Sequence, residues 1–136
     1  MSLYIPTHLR QFVLARANNR CEYCLFPQTF AANRFEPDHI ISVQHGGLTE
    51  ASNLAAACFQ CNRNKGPNVG SFDPLTAILT PFFHPRLQHW HEHFELRDGE
   101  ILPLTPEGRV TVRIFLFNHE DRIHDRLRLL QLGLFW

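Results

Sequence analysis

Two CxxC pairs, Cys21-Glu22-Tyr23-Cys24 and Cys58-Phe59-Gln60-Cys61, set the tightest limit on how this chain can fold. A two-residue spacer lets both thiolates of a pair reach one tetrahedral ion, at about 2.3 Å each for zinc. The pairs stand 33 residues apart, counted between Cys24 and Cys58, and together supply a complete four-thiolate set. No cysteine lies outside them. In a chain whose start, Met1-Ser2-Leu3-Tyr4-Ile5-Pro6, lacks a basic region followed by an apolar stretch, that usage favours a metal over disulfides. A redox CxxC or two disulfides would leave unexplained why the pairs bracket a second set of polar residues. Zinc held by four thiolates has no open coordination position, so its task is to hold neighbouring strands and a short helix in register.

Inside and beside the clamp stand Asp38-His39, His45-Gly46-Gly47, Asn53 and Asn62-Arg63-Asn64-Lys65-Gly66. These are groups suited to proton transfer and to binding a hard cation, which a plain zinc finger does not need. Asp38-His39, Asn53 and Asn62, placed as they are among the CxxC pairs, resemble the motif of HNH endonucleases, the zinc-clamped branch of the ββα-metal nucleases. The likeness runs over roughly residues 16–66, and Asn62 stands where some members carry His. It implies a phosphodiesterase in which His39 is the general base, a role that a side chain titrating near neutrality can fill. It implies Asp38 and Asn62 as ligands of a catalytic Mg²⁺ or Mn²⁺, since side-chain oxygens suit hard cations. It implies Asn53 as a residue that orients the catalytic loop and the His39 ring, and products with 5′-phosphate and 3′-hydroxyl ends. The substrate implied is DNA, with RNA as the other choice, and a homodimer would serve for cutting two strands. Competing structural readings are a His39 packed on Ile40 and Ile41, a salt-bridged or turn-capping Asp38, and a helix-capping Asn62. The rival function is a zinc module that binds nucleic acid or a protein without cutting; a thiol oxidoreductase is a third.

Charge bears on the partner. The net charge is zero, although nucleic-acid binders are usually basic. Residues 1–66 carry six basic and four acidic side chains, a balance of +2 that leaves −2 for the remainder. Twelve of the 13 basic residues are Arg, whose planar fork suits phosphate. Arg63, Lys65 and His45 are the candidate phosphate contacts, with His45 equally readable as a solvated loop residue. Arg86, Arg122, Arg126 and Arg128 are further candidates, against solvated faces or ion pairs. The histidines at 84, 89, 91 and 93 alternate around Trp90 without added Cys or acid support, which argues against a second metal site. No run approaches the ~18 apolar residues of a membrane span, and cytoplasmic residence is the default expectation.

Along the chain, the pattern predicts a helix over Pro6–Asn18 with Leu9, Phe12, Val13 and Arg16 on its buried face. Next come a loop over Leu25–Glu36, a strand over Pro37–Ile41, a helical turn at Thr49–Ser52, a strand over Asn53–Ala57 and a short helix from Phe59. Asn68–Ser71 reads as a linker. Phe94–Leu96 and Glu100–Leu102 predict a hairpin across Asp98-Gly99. A helix from Thr105 is favoured over a strand at Val110–Ile114. A last helix capped by Asn118 should bury Ile123, Leu127 and Leu130. The expected fold is α+β: a zinc-clamped ββα core in residues 1–70, and a mixed, mostly helical extension in 71–136 packed on it as one compact unit.

Overall fold

The computed structural model describes residues 4–135; Met1–Leu3, the first half of the stretch read for a leader, lie outside the described residues. Helix α1 (Thr7–Arg16) starts behind Pro6 and stops where Asn18 and Asn19 turn left-handed, at φ of 54° and 62°. Asparagine tolerates that conformation better than most residues. Val13 is fully buried with Ile5, Leu54 and Ala56, and Leu9, Leu14 and Ala17 flank it. Phe12, expected on this face, is 53% exposed and carries the Arg16 guanidinium over its ring instead. Leu9, Leu14 and Ala17 complete the packing around Val13, and the Phe12 ring is left to solvent.

Strands β1 (Glu36–His39) and β2 (Leu54–Ala57) pair antiparallel, with Glu36 opposite Ala57 and His39 opposite Leu54. Every residue of β2 is buried, because its two faces serve two cores. Leu54 and Ala56 meet α1, while Ala55 and Ala57 meet the main core. That division follows from the two-residue period of a strand, and the alanines let both layers come close. Helix α2 (Phe59–Lys65) follows, and Gly66 ends it at a φ of 54°. The ββα order expected from the sequence is present, with each strand one residue shorter than expected and the first starting a residue earlier, and the fold is α+β.

Beyond α2 the second half of the expected linker, Gly70 and Ser71, already belongs to a hairpin, β3 (Gly70–Phe72) and β4 (Leu79–Pro81). A short helix α3 (Trp90–His93) leads into the hairpin β5 (Phe94–Arg97) and β6 (Glu100–Pro103). Asp98 and Gly99 turn it with φ of 52° and 82°, the pair of positive angles that a two-residue hairpin of type I′ requires. Helix α4 (Pro106–Ile114) confirms the helical choice, its first turn held by the Thr105 hydroxyl accepting from the Gly108 N–H. Helix α5 (Glu120–Gln131) is capped by His119, not Asn118. Asn118 is drawn to the β6 backbone, where it both accepts from the Ile101 N–H and donates to the Ile101 carbonyl.

The main core joins the two halves of the chain. Tyr23, Phe82, Phe94, Phe115 and Phe117 pack there through edge-on and tilted ring contacts at centroid distances of 5.0–5.7 Å. Trp90 donates to the Tyr23 carbonyl at 2.8 Å, and Asn64 to the Phe115 carbonyl at 2.8 Å.

Candidate active site and metal clamp

The clamp closes as the spacing predicts. The Sγ atoms of Cys21, Cys24, Cys58 and Cys61 all lie within 4.8 Å of one another, and all four residues are buried. Cys24 and Cys58 stand 3.8 Å apart. A tetrahedron with 2.3 Å arms has edges of about 3.8 Å, so the set fits zinc. Its chemistry points the same way. Burial holds the Cys21 and Cys61 thiols well above the ordinary thiol value, while hydrogen bonds from the other three cysteines bring Cys24 down. Four thiols sealed together cannot all ionise unless a cation joins them.

One cation already in the chain meets the sulfurs. Arg122 of α5, 6% exposed, directs Nη2 at Cys61 Sγ at 3.1 Å and at Cys58 Sγ at 3.8 Å. Its Nη1 donates to the Phe115 carbonyl at 2.8 Å. Burial works against the charged guanidinium, but the thiolates of Cys61, Cys24 and Cys58 outweigh it and hold Arg122 protonated. Arg126 is likewise internal, donating to the Gly99 and Phe117 carbonyls at 2.7 Å each. Neither is a substrate contact or a solvated residue, which corrects the sequence reading of this helix. Its buried stripe is Arg122, Arg126 and Leu129, one residue out of step with the expected Ile123, Leu127 and Leu130. Arg86, another surface candidate, pairs with Glu22 in a half-buried contact. Arg122→Gln is expected to weaken zinc retention about 10- to 100-fold, the usual scale for a group that supports metal ligands. Competition with a chromophoric chelator measures it.

The reactive pair sits at the end of β1. Asp38 is buried and points inward, where the Tyr23 hydroxyl donates to its Oδ2 at 2.8 Å and Lys65 Nζ lies 3.3 Å from the same oxygen. Lys65 also donates to the His39 carbonyl at 2.8 Å. At 1% exposure Lys65 is part of the interior, so its expected place on the surface beside Arg63 is corrected. The buried carboxylate explains this: an isolated charge there is costly, and an ammonium from one helical turn beyond Asn62 compensates it. Burial raises the Asp38 pKa, and Lys65 and Tyr23 pull it back in part. The salt-bridged reading of Asp38 therefore holds for Oδ2, while Oδ1 accepts no hydrogen bond among the described residues. Asn62 is half-buried and its carboxamide is unpartnered there too; the cap of α2 is Cys58, whose Sγ accepts from the Cys61 N–H. Asp38 Oδ1 and the Asn62 carbonyl oxygen are thus the two donors left over, a set that fits a hard cation taking few protein ligands.

His39 stands partly exposed with Nε2 2.9 Å from Thr49 Oγ1. Burial lowers its pKa, Asp38 raises it, and Lys65 lowers it again, for a net shift below the ordinary 6.5. Asn53 does not touch the ring. It fastens the loop that follows: Oδ1 accepts from the Ile41 N–H at 2.9 Å, and Nδ2 donates to the Ile41 and Leu48 carbonyls at 2.9 and 3.0 Å. Gly47 is part of the same knot, since a Cβ there would fall 1.7 Å from the Ile41 oxygen and 2.7 Å from Asn53 Nδ2. His45 is exposed on this loop, and Arg63 is exposed on α2. The spacing of the motif had marked Asp38, His39, Asn53 and Asn62. Tyr23 and Thr49 were missed; Tyr23 is betrayed only by its place between the first two cysteines, and nothing in the sequence marks Thr49.

Two histidines of the run at 84–93 are engaged locally, while His89 and His91 are exposed. His93 Nδ1 lies 2.6 Å from Thr105 Oγ1, and His84 Nδ1 accepts from the Arg86 N–H at 3.2 Å. No helix among the described residues is long and apolar enough to cross a membrane.

Residues 21–68 match the family described as HNH endonuclease. No curated protein and no solved structure matches the chain.

Proposed function

We propose, from the match of residues 21–68 to the HNH endonuclease family, that this protein is a metal-dependent endonuclease that hydrolyses phosphodiester bonds of DNA. The observation that supports the reading most is that His39, an Asp38 oxygen left unshared and an unpartnered Asn62 carboxamide are all carried by one ββα unit, braced by the thiolate clamp. Thr49 engages Nε2 of His39, which leaves Nδ1 to take the proton of the attacking water. Asn53 and Gly47 keep the loop after His39 from shifting that ring. Asp38 and Asn62 would hold Mg²⁺ or Mn²⁺, and Tyr23 and Lys65 fix the carboxylate for the task. Such an ion, when bound, polarises a phosphoryl oxygen and stabilises charge on the leaving oxygen. Arg63 and His45 are the exposed side chains for flanking phosphates. The clamp would hold zinc, and its free thiols fit a reducing compartment, the cytoplasm. One site per chain means that a double-strand cut takes two copies or two successive nicks.

Incubating the purified protein with supercoiled, linear and branched DNA, with and without Mg²⁺ or Mn²⁺, tests the proposal. Conversion of supercoiled DNA only when the ion is present is the expected result. Failure to cut any DNA or RNA would leave the non-catalytic zinc module as the reading. The pH dependence follows from His39. A base works when neutral, and its pKa lies below the ordinary value of 6.5, so cutting should persist below pH 6.5 before falling with further acid. The same sign applies to stability: the unfolded chain takes up the His39 proton first, so this residue's contribution is lost as pH falls. A rate profile whose acid limb centres above pH 6.5 would contradict this.

A further inference from the structure

Beside the clamp, between α5, the start of α2 and the turn at Gln28–Phe30, runs a cleft of about 370 Å³. Phe26, Phe30 and Phe59 line it, with the carboxamides of Asn33 and Gln60 and the guanidinium of Arg128. Phe30 and Phe59 are 46% and 49% exposed, although the chain buries seven other phenylalanines. Packing therefore does not account for these two rings. Phe59 also carries Arg63, whose guanidinium lies 5.9 Å from its ring centre. Asn62 and Arg63 follow Phe59 at three and four residues, the spacing of neighbours on a helix surface. One turn of α2, a rise of about 5 Å, thus links the ring to the candidate cation ligand.

We propose that this cleft receives an unpaired nucleobase next to the phosphate being cut, stacked on Phe59, so that the substrate is single-stranded or locally unpaired nucleic acid. The inference rests on the nuclease reading and names its substrate class. Aromatic faces accept any base by stacking, and two carboxamides supply the donors and acceptors a base edge presents. A volume above 300 Å³ suits one planar group in a site of ordinary size. Inside the cleft Arg122 is committed to the thiolates and Arg126 to backbone carbonyls, and Asp125 lines it along with Arg128, so little positive charge is left there for a phosphate. The phosphates then fall to Arg63, outside it.

The test is the affinity of the zinc-loaded protein for an oligothymidylate carrying one 2-aminopurine, as a single strand and as a duplex, without added Mg²⁺ or Mn²⁺. The parent should prefer the single strand and change the emission of the 2-aminopurine. Phe59→Ala should weaken single-strand binding about 5- to 150-fold, the worth of one stacked base, with duplex binding unchanged. Phe59→Trp should restore it. Zinc content and circular dichroism certify both variants, which alter a half-exposed side chain. Equal binding of the single strand by parent and Phe59→Ala, or a parent that prefers the duplex, overturns the cleft. Stacking without cleavage under any ion would sink the nuclease reading and keep the cleft; cleavage of duplex with no stacking would do the reverse.

Discussion

Cys58→Ser is expected to yield a chain that retains no zinc and does not fold. Cys58 supplies one of four thiolates, caps α2 by accepting from the Cys61 N–H, and faces the Arg122 guanidinium. Four-cysteine sites bind zinc with roughly 10–16 kcal/mol in peptides, and that energy is folding energy. A domain of this size has only about 5–15 kcal/mol of net stability. Losing the metal therefore exceeds the margin, and it also leaves Arg122 buried against uncharged sulfur. Elemental analysis and circular dichroism of the variant and of chelator-treated parent measure the effect. A soluble, folded parent without zinc would overturn it.

His39→Ala should have the opposite profile: fold and zinc kept, cutting lost by about 10²- to 10⁴-fold, the usual worth of a general base. The ring is partly exposed, and its one side-chain partner is Thr49. Removing it leaves the clamp, Asp38, Asn62 and Arg63 in place. Asp38→Ala is a poorer probe. It strands the Lys65 ammonium in the interior, and removing one partner of a buried pair costs about 3–5 kcal/mol. A cleavage time course beside zinc content separates the two variants, because loss of activity with an intact fold belongs to His39 alone. Parental cutting by folded His39→Ala would remove His39 as the base.

The ββα core and the clamp were legible because their signals are local: ligand spacing, the Asp-His pair ahead of two glycines, and small residues in a strand between two layers. The hairpin at Asp98-Gly99 was legible for the same reason. What the sequence hid was the effect of buried charge. Apolar periodicity points α5 inward along Ile123, Leu127 and Leu130, but the thiolates attract Arg122, and the helix rotates by one residue to deliver it. Lys65 looks like a phosphate contact beside Arg63 until Asp38 is known to be buried. In both cases the partner lies far off in sequence, 61 residues for Arg122 and Cys61, where no window pattern reaches. Asn118 shows the converse, a good capping residue claimed by a neighbouring strand.

Lys65 is the chain's one lysine, and it is sealed beneath the reactive pair. The folded protein consequently presents no side-chain amine to acylating reagents, crosslinkers or lysine-modifying enzymes. Attachment at this position requires α2 to part from β1, which would dismantle the Asp38 anchorage at the same moment. A mass tag on Lys65 therefore serves as a clock for opening of the centre, read peptide by peptide. It also means that coupling the protein to a surface through lysine side chains would select opened molecules and leave the closed ones in solution.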